Sequence, residues 1–318
     1  MQRWRALGAV GRALMRSGVV VLLFVVYQLW GTGLLTARAQ DRLADDFQVL
    51  LEQAPPSTLA PGAAPETAPQ TAPTDVAPPA PGEPIGVITI PDIDVDFVIT
   101  QGVELKYLKE GPGHFPQTPL PGQPGNSALA GHRTTYDAPF HRIDELAPGA
   151  EITVQTVQGT FTYRVDPHET ADGGVEGHFI VKPSAVEILD QEGPNRLTLM
   201  ACHPKYSAAQ RIVVTATLEQ EPAPPTALPA PGEGGVTFDA SEDPLAGGDA
   251  SAWPAAISWS LAAAAVWFLT WLAGQALRRR QDSRWTWSLP PYVVGLPIFL
   301  VVLFVAFQEI ARLLPAAY

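Results

Sequence analysis

One thiol is present in the 318-residue chain, Cys202, and six histidines and a sparse set of arginines surround it in sequence. A thiolate beside an imidazole can carry out acyl transfer: the sulfur attacks a carbonyl and the imidazolium protonates the departing amine. Cys202 ends the apolar run Leu197-Thr198-Leu199-Met200-Ala201 and is followed by His203-Pro204, where proline would stop a strand ladder. His203 is adjacent to the thiol, but neighbouring residues on a strand point to opposite faces, which turns its ring away. His132 has the better setting. It follows the short apolar run Ala128-Leu129-Ala130 and Gly131, so it too stands at a strand end. Arg211 opens the next apolar run, and a hairpin from 202 to 211 returns its guanidinium beside the thiol, where a fixed cation could stabilise an oxyanion. Each residue also has an ordinary structural reading: a buried thiol as a small hydrophobe, a satisfied core histidine, a surface arginine. Spacing alone leaves these open. A lone thiol makes no internal disulfide, and no cysteine–histidine cluster with metal-ligand spacing occurs, so neither a metal nor a cofactor is expected.

The elements that must position these residues read as β-strands. Residues 86–100 alternate apolar and polar and break at Pro91; 126–131 is a short apolar run; 151–165 reads as a hairpin turning at Gln158-Gly159. Residues 195–202 and 211–219 supply two further strands. Many short strands between Pro/Gly turns, with little helical periodicity, predict an all-β closed barrel or sandwich. Strand ends converge at a barrel rim, which could bring His132, Cys202 and Arg211 together.

Composition separates this domain from its surroundings. Apolar runs near residues 18–36, 253–277 and 291–314 have the length of bilayer spans. Arg3, Arg5, Arg12 and Arg16 precede the first, and Arg278-Arg279-Arg280 with Arg284 follow the second. By the positive-inside rule both clusters are cytoplasmic, giving N-terminus in, central domain out, short loop in and C-terminus out. Ala37-Arg38-Ala39 has the form of a cleavage site, but the preceding apolar run is longer than a signal-peptide core, so an uncleaved anchor is expected. Residues 55–84 contain ten prolines, and 220–250 mix proline, glycine and acid. Such segments cannot bury enough apolar surface to collapse. At ~3.1 Å per residue in extended polyproline geometry, about 40 residues of such linker could hold the domain up to ~120 Å from a bilayer. The expected organisation is 1–40 basic tail and anchor, 41–84 Pro-rich linker, 85–219 central domain, 220–252 second linker, and 253–318 two spanning helices with a short basic loop. A net charge of −12, with no Lys or Arg from 43 to 105 or from 212 to 277, argues against a nucleic-acid partner.

The segment TLMACHPKYSAAQRIVV (198–214) resembles the sortase signature, in which TLxTC precedes a Pro-containing loop and an arginine opens the last strand. LPGQPGNSALAGHRTTYDAPF (120–140) is similar to the sortase histidine region, and GPGHFPQTPLPGQPGN (111–126) to that of actinobacterial class E sortases. Arg-over-Lys bias with abundant Ala and Pro fits such a source. The resemblance implies an eight-stranded sortase-type barrel carrying one N-terminal and two C-terminal transmembrane helices. It implies a membrane-anchored cysteine transpeptidase that cuts an LAXTG- or LPXTG-like sorting signal between Thr and Gly. The acyl group would then pass to an amine of a lipid II-type peptidoglycan precursor, anchoring surface proteins. By matched position Cys202 would be nucleophile, His132 general acid/base and Arg211 transition-state stabiliser; Tyr136, Thr198 and Ala201 are carried as substrate-binding candidates. Two features depart from the pattern. Ala201 stands where the family usually has Thr, and the C-terminal pair of spans is unusual. The alternatives are a cell-wall cysteine peptidase or L,D-transpeptidase, against which stands the order His, Cys, Arg, and a non-catalytic membrane-tethered binding module, against which stands the presence of all three residues.

Overall fold

A computed structural model describes residues 2–53, 76–226, 249–280 and 290–314. The linker cores and the Arg284-containing loop named above lie outside these residues. The chain divides into two units, one formed by the first helix with the C-terminal helices and the other by residue 30 onward through the β domain.

The β domain has eleven strands: β1 (Pro84–Ile90), β2 (Val95–Gln101), β3 (Gly113–His114), β4 (Asn126–Ala130), β5 (Glu151–Thr156), β6 (Gly159–Val165), β7 (His168–Glu169), β8 (Val175–Glu176), β9 (Phe179–Val181), β10 (Arg196–His203) and β11 (Gln210–Leu218). Their order is β10-β4-β3-β2-β1-β5-β6-β11, and β10 also pairs with β11, which closes eight strands into a barrel. β9 adds to β11 at Arg211–Val213, beside the stretch where β6 pairs with Ala216–Leu218, and β7 and β8 form a separate ribbon. Local chemistry sets the turns. Pro91, lacking an N–H, ends β1 in a single 3-10 turn, and Asp94 in left-handed conformation starts β2. The expected hairpin is present between β5 and β6, with its turn one residue earlier, at Val157-Gln158, and Gly159 paired with Thr156.

Strand alternation divides the barrel into two apolar layers. Leu197, Leu199 and Ala201 of β10, Ile212, Val214 and Ala216 of β11, and Leu129 of β4 enter the interior with Ile88, Ile99, Val154 and Phe161. Ala128, Ala130, Met200, Cys202 and Val213 belong to a second cluster with Val103, Leu108 and Phe115. The sequence predicts the five long strand segments but not β3, β7, β8 or β9; two or three residues hold too little of a period-2 pattern to be read.

Both linker boundaries shift inward. Where the sequence places the first linker at residue 41, α2 (Thr32–Gln53) runs on, burying Thr32, Thr36, Ala39, Leu43 and Phe47. The prolines that break helical geometry begin only at Pro55. After β11, residues 221–226 stay on the domain: Ala223 N–H donates to the Gly122 carbonyl (2.8 Å) and Gln158 Nε2 to the Pro224 carbonyl (2.9 Å).

In the other unit, α1 (Gln2–Val26) precedes a π turn (Tyr27–Gly31), and α4 (Trp253–Arg280) packs along α5 (Pro290–Leu313). Gly295 lets these two approach, since a Cβ there would lie 2.2 Å from Thr270 Oγ1. Tyr27, Ala263, Leu303, Phe307 and Ala311 form the shared cluster, while Leu22, Leu269, Val293 and Val301 face outward. Three helices, within Leu14–Gln53, Ala250–Leu277 and Pro291–Leu313, are long and apolar enough to cross a membrane.

The buried ring of His114 on β3 meets Gln101 Oε1 at 2.8 Å and the Pro119 carbonyl at 2.9 Å. Burial, partly offset by the Pro119 hydrogen bond, pushes it down from 6.5 to about 4. Below pH 6.5 the unfolded chain therefore binds a proton that the folded chain refuses. The stability present above 6.5 is lost as the pH falls towards 4, by about 3 kcal/mol. Replacing His114 with Gln is expected to flatten the fall of stability between pH 6.5 and 4, measured by denaturant unfolding of the purified chain; an unchanged slope would contradict it.

Candidate active site

The antiparallel β10–β11 ladder places Cys202 directly opposite Arg211, with Met200 opposite Val213. Directly opposed residues have Cβ atoms about 4.5–5.5 Å apart, on the same sheet face. On the other side β4 runs parallel to β10, with Ala130 aligned to Met200, and the ladder continues as Gly131 N–H donates to the Met200 carbonyl (3.0 Å). His132 follows in step with Cys202. Two registers thus bring the thiol, the imidazole and the guanidinium, distant in sequence, to one rim. All three are buried, at 4, 2 and 1% exposed.

Each is held by its neighbours. Arg211 Nη1 donates to the carbonyls of Ala208 (3.0 Å) and Gln210 (2.8 Å), which ties the guanidinium to the β10–β11 loop. At His132, the carbonyl accepts from Phe140 N–H (3.1 Å), and Gly131 makes this turn fit: a Cβ there would stand 2.6 Å from the Phe140 ring. The His132 ring lies 4.8 Å, centroid to centroid, from Tyr136. Tyr136, Asp137 and Ala138 all have positive φ (55°, 61° and 43°).

Arg133 is a member of the site that the sequence reading passes over. Its side chain is 2% exposed, and Nη2 pairs with Asp144 at 2.9 Å. Nη1 donates to the Cys202 carbonyl (3.3 Å) and to His203 Nδ1 (3.0 Å). Its own carbonyl meets His141 Nδ1 at 2.8 Å, and Lys205 approaches Asp144 at 3.7 Å. Burial opposes ionisation of Asp144, but Arg133, with help from Lys205 and hydrogen bonding, holds its carboxyl below the usual range. Burial, and then Arg133, push His203 down, which favours the neutral ring that can accept from Arg133. His203 thus joins Arg133 in bracing the backbone at Cys202. The available signal was an arginine directly after a strand-end histidine; the distant partners Asp144 and Lys205 were not legible.

The three substrate-binding candidates separate. Tyr136 lies against His132. Thr198, on the Cys202 side of β10 by alternation, is buried and donates to Asn126 Oδ1 (2.7 Å), whose Nδ2 in turn donates to the carbonyls of Ile188 and Asp190. It therefore braces the segment between β9 and β10. Ala201 is placed away from the thiol, in the barrel interior, because odd-numbered residues of β10 face inward. Around Cys202 the outward layer offers a floor of Ala128, Ala130 and Met200, flanked by the half-buried Val181, Ile188, Leu189 and Ala208. Among the described residues, no group of three His, Cys, Asp or Glu side chains could hold a metal ion.

A family model described as the sortase domain matches residues 88–219. Sortase SrtE1 of Streptomyces coelicolor is 29% identical over 228 residues, 67% of this chain and 57% of the relative. The chain thus spans little more than half of that relative's length. Sortase SrtE2 of the same organism is 28% identical over 220 residues, covering 66% of this chain and 81% of the relative. Among solved structures, sortase E1 from Streptomyces coelicolor with a tripeptide in its active site is 30% identical, covering 46% of this chain and 93% of that one, with a TM-score of 0.39. A sortase D5 transpeptidase of Clostridium perfringens is 31% identical over 44% of this chain and 81% of that one, with a TM-score of 0.38. Residues 88–219, which span the barrel, thus match the sortase domain, and sortases SrtE1 and SrtE2 are among the relatives of this chain.

Proposed function

We propose that the chain is a membrane-anchored cysteine transpeptidase that cuts a sorting signal between Thr and Gly and transfers the acyl group to a cell-wall amine. The observation that carries this reading is the convergence of Cys202, His132 and Arg211 through the β4–β10–β11 registers. In the first half-reaction the Cys202 thiolate adds to the threonyl carbonyl. The oxyanion is held by the Arg211 guanidinium, and collapse expels the glycyl amine, which takes its proton from His132. A thioester remains on Sγ. In the second half-reaction the amine of a lipid II-type precursor attacks the thioester and gives its proton to His132, and the thiolate leaves. The apolar floor beside Cys202 would take the apolar side chains of an LAXTG- or LPXTG-like signal, with Tyr136 shaping the pocket near the histidine.

The same reading puts the domain outside the cell. The arginine clusters before the first apolar helix and after the second both favour the cytoplasmic side, which leaves the barrel and the C-terminus extracytoplasmic. Substrates would then be secreted proteins carrying the signal.

Three outcomes are expected. Incubation with an LAXTG-type peptide and a small amine yields a Thr–amine adduct by mass spectrometry. Cys202→Ala abolishes it, and His132→Ala and Arg211→Ala each lower kcat/KM by about 10²–10³-fold with the barrel still folded. Wild-type rates in either variant would remove the role assigned here. Arg133→Met is expected to lower kcat by about tenfold, because a charged hydrogen bond to the Cys202 carbonyl is lost, while Arg133→Lys recovers part of it; steady-state kinetics decide. For topology, a Ser283→Cys substitution in a Cys202→Ala background should resist a membrane-impermeant maleimide in intact cells and react after permeabilisation. Labelling of intact cells would reverse the orientation.

A further inference from the structure

We propose that α2, the helix that begins within the end of the first apolar run and continues beyond it, is a positioning element of the active site and not only part of a tether. The inference rests on the reading of His132 as acid/base partner. One face of α2 presents Thr32, Thr36 and Gln40 at successive turns, and each engages backbone of the β domain. Thr32 Oγ1 accepts from Tyr136 N–H (3.2 Å). Thr36 Oγ1 donates to the Lys109 carbonyl (2.8 Å). Gln40 accepts from Val98 N–H (2.7 Å) through Oε1 and donates through Nε2 to the carbonyls of Glu110 (2.7 Å) and Val98 (3.1 Å). Below them Leu43 and Phe47, 2 and 1% exposed, anchor the same face. The grip is specific for backbone, so it fixes the path of two loops.

Those loops meet at Tyr136. The ring of Tyr136 stands 4.8 Å from His132 on one contact and receives the Lys109 ammonium 5.6 Å from its centroid on another. Thr32 therefore holds the Tyr136 backbone, and Thr36 holds the backbone of the lysine that meets its ring. The segment needs such holding. Three consecutive non-glycine residues with positive φ, Tyr136 to Ala138, each cost on the order of 1–3 kcal/mol and persist only where surrounding structure enforces them. Within the loop, Ala138 N–H donates to the Thr135 carbonyl (3.0 Å) and Phe140 N–H to the His132 carbonyl (3.1 Å). The Thr32 contact comes from a different element and lies on the strained residue nearest His132. Remove it and the loop can relax towards ordinary backbone geometry, carrying Tyr136 off the imidazole. Barrel strands would be untouched, so the effect falls on the pairing of His132 with Cys202 and not on the fold.

The test uses the full chain in detergent or nanodiscs, with Thr32→Val, which keeps shape and removes the hydroxyl, and Thr32→Ser, which restores it. Thr32→Val is expected to lower kcat for the Thr–amine adduct about tenfold with KM within about twofold, the loss set by one hydrogen bond and its unsatisfied buried donor. It should also slow alkylation of Cys202 by iodoacetamide, a readout independent of any peptide, and Thr32→Ser should recover both. Equal kcat and alkylation rates in the wild type and Thr32→Val would overturn the proposal. So would equal impairment of Val and Ser variants accompanied only by a lower melting temperature. If Thr32→Val does not fold, Thr36→Val is read by the same two measurements. A wild-type chain that forms no adduct counts against the transpeptidase reading instead, and the alkylation rates then decide the role of α2.

Discussion

The pairing of β10 with β11 is the constraint on which the rest depends, because it closes the barrel and sets Cys202 opposite Arg211 in the same step. Its register is enforced from the opposite face. Leu197, Leu199, Ala201, Ile212, Val214 and Ala216 all turn into the interior, and a slip of one residue would exchange them with the site face. Each large aliphatic side chain among them is worth about 1.5–3 kcal/mol when buried. The hydrophobic core therefore fixes the site geometry. Ala201 contributes to this from inside the barrel, on the face away from Cys202.

The site is also built from cations that are placed and not free to swing. Arg211 is bound to two loop carbonyls, and Arg133 is bound to Asp144, His203 and the Cys202 carbonyl. Guanidinium suits both positions, since its rigid fork makes several directed hydrogen bonds while remaining charged when buried. Preorganised charge of this kind loses little to reorganisation when negative charge develops on a substrate oxygen. The two arginines differ in task. Arg211 lies opposite Cys202 on the same side of the sheet, whereas Arg133 braces the Cys202 backbone and pairs with Asp144, which Lys205 also approaches.

Beyond the barrel, ordered structure reaches further at each end than proline content suggests. α2 lies on the β domain through threonine, glutamine and aromatic contacts, and residues 221–226 return to Gly122 and Gln158. The apolar helices form a small unit in which Gly295 permits close packing against Thr270, a mode suited to lipid, where helix association relies on fit. Outward Leu and Val side chains on the same helices leave an apolar exterior.

Local pattern determined much of this protein. Alternation in 86–100, 151–165, 195–202 and 211–219 is enough for the strands, Pro91 and, to within one residue, Gln158-Gly159 for two turns, and long apolar runs for three helices, because each follows from properties of adjacent residues. The strand-end positions of Cys202, His132 and Arg211 are legible for the same reason. What tertiary structure alone decided are the relations between distant backbones. These are the parallel register of β4 with β10, the closure by β11, the Arg133–Asp144 brace, and the docking of Thr32 and Thr36 beside Tyr136. Thr32, Thr36 and Gln40 do recur at helical spacing, but polar residues on a helix carry no sign of their partners. A hydrogen bond to a carbonyl some seventy residues away depends on where the whole barrel puts that carbonyl, and no local propensity encodes it.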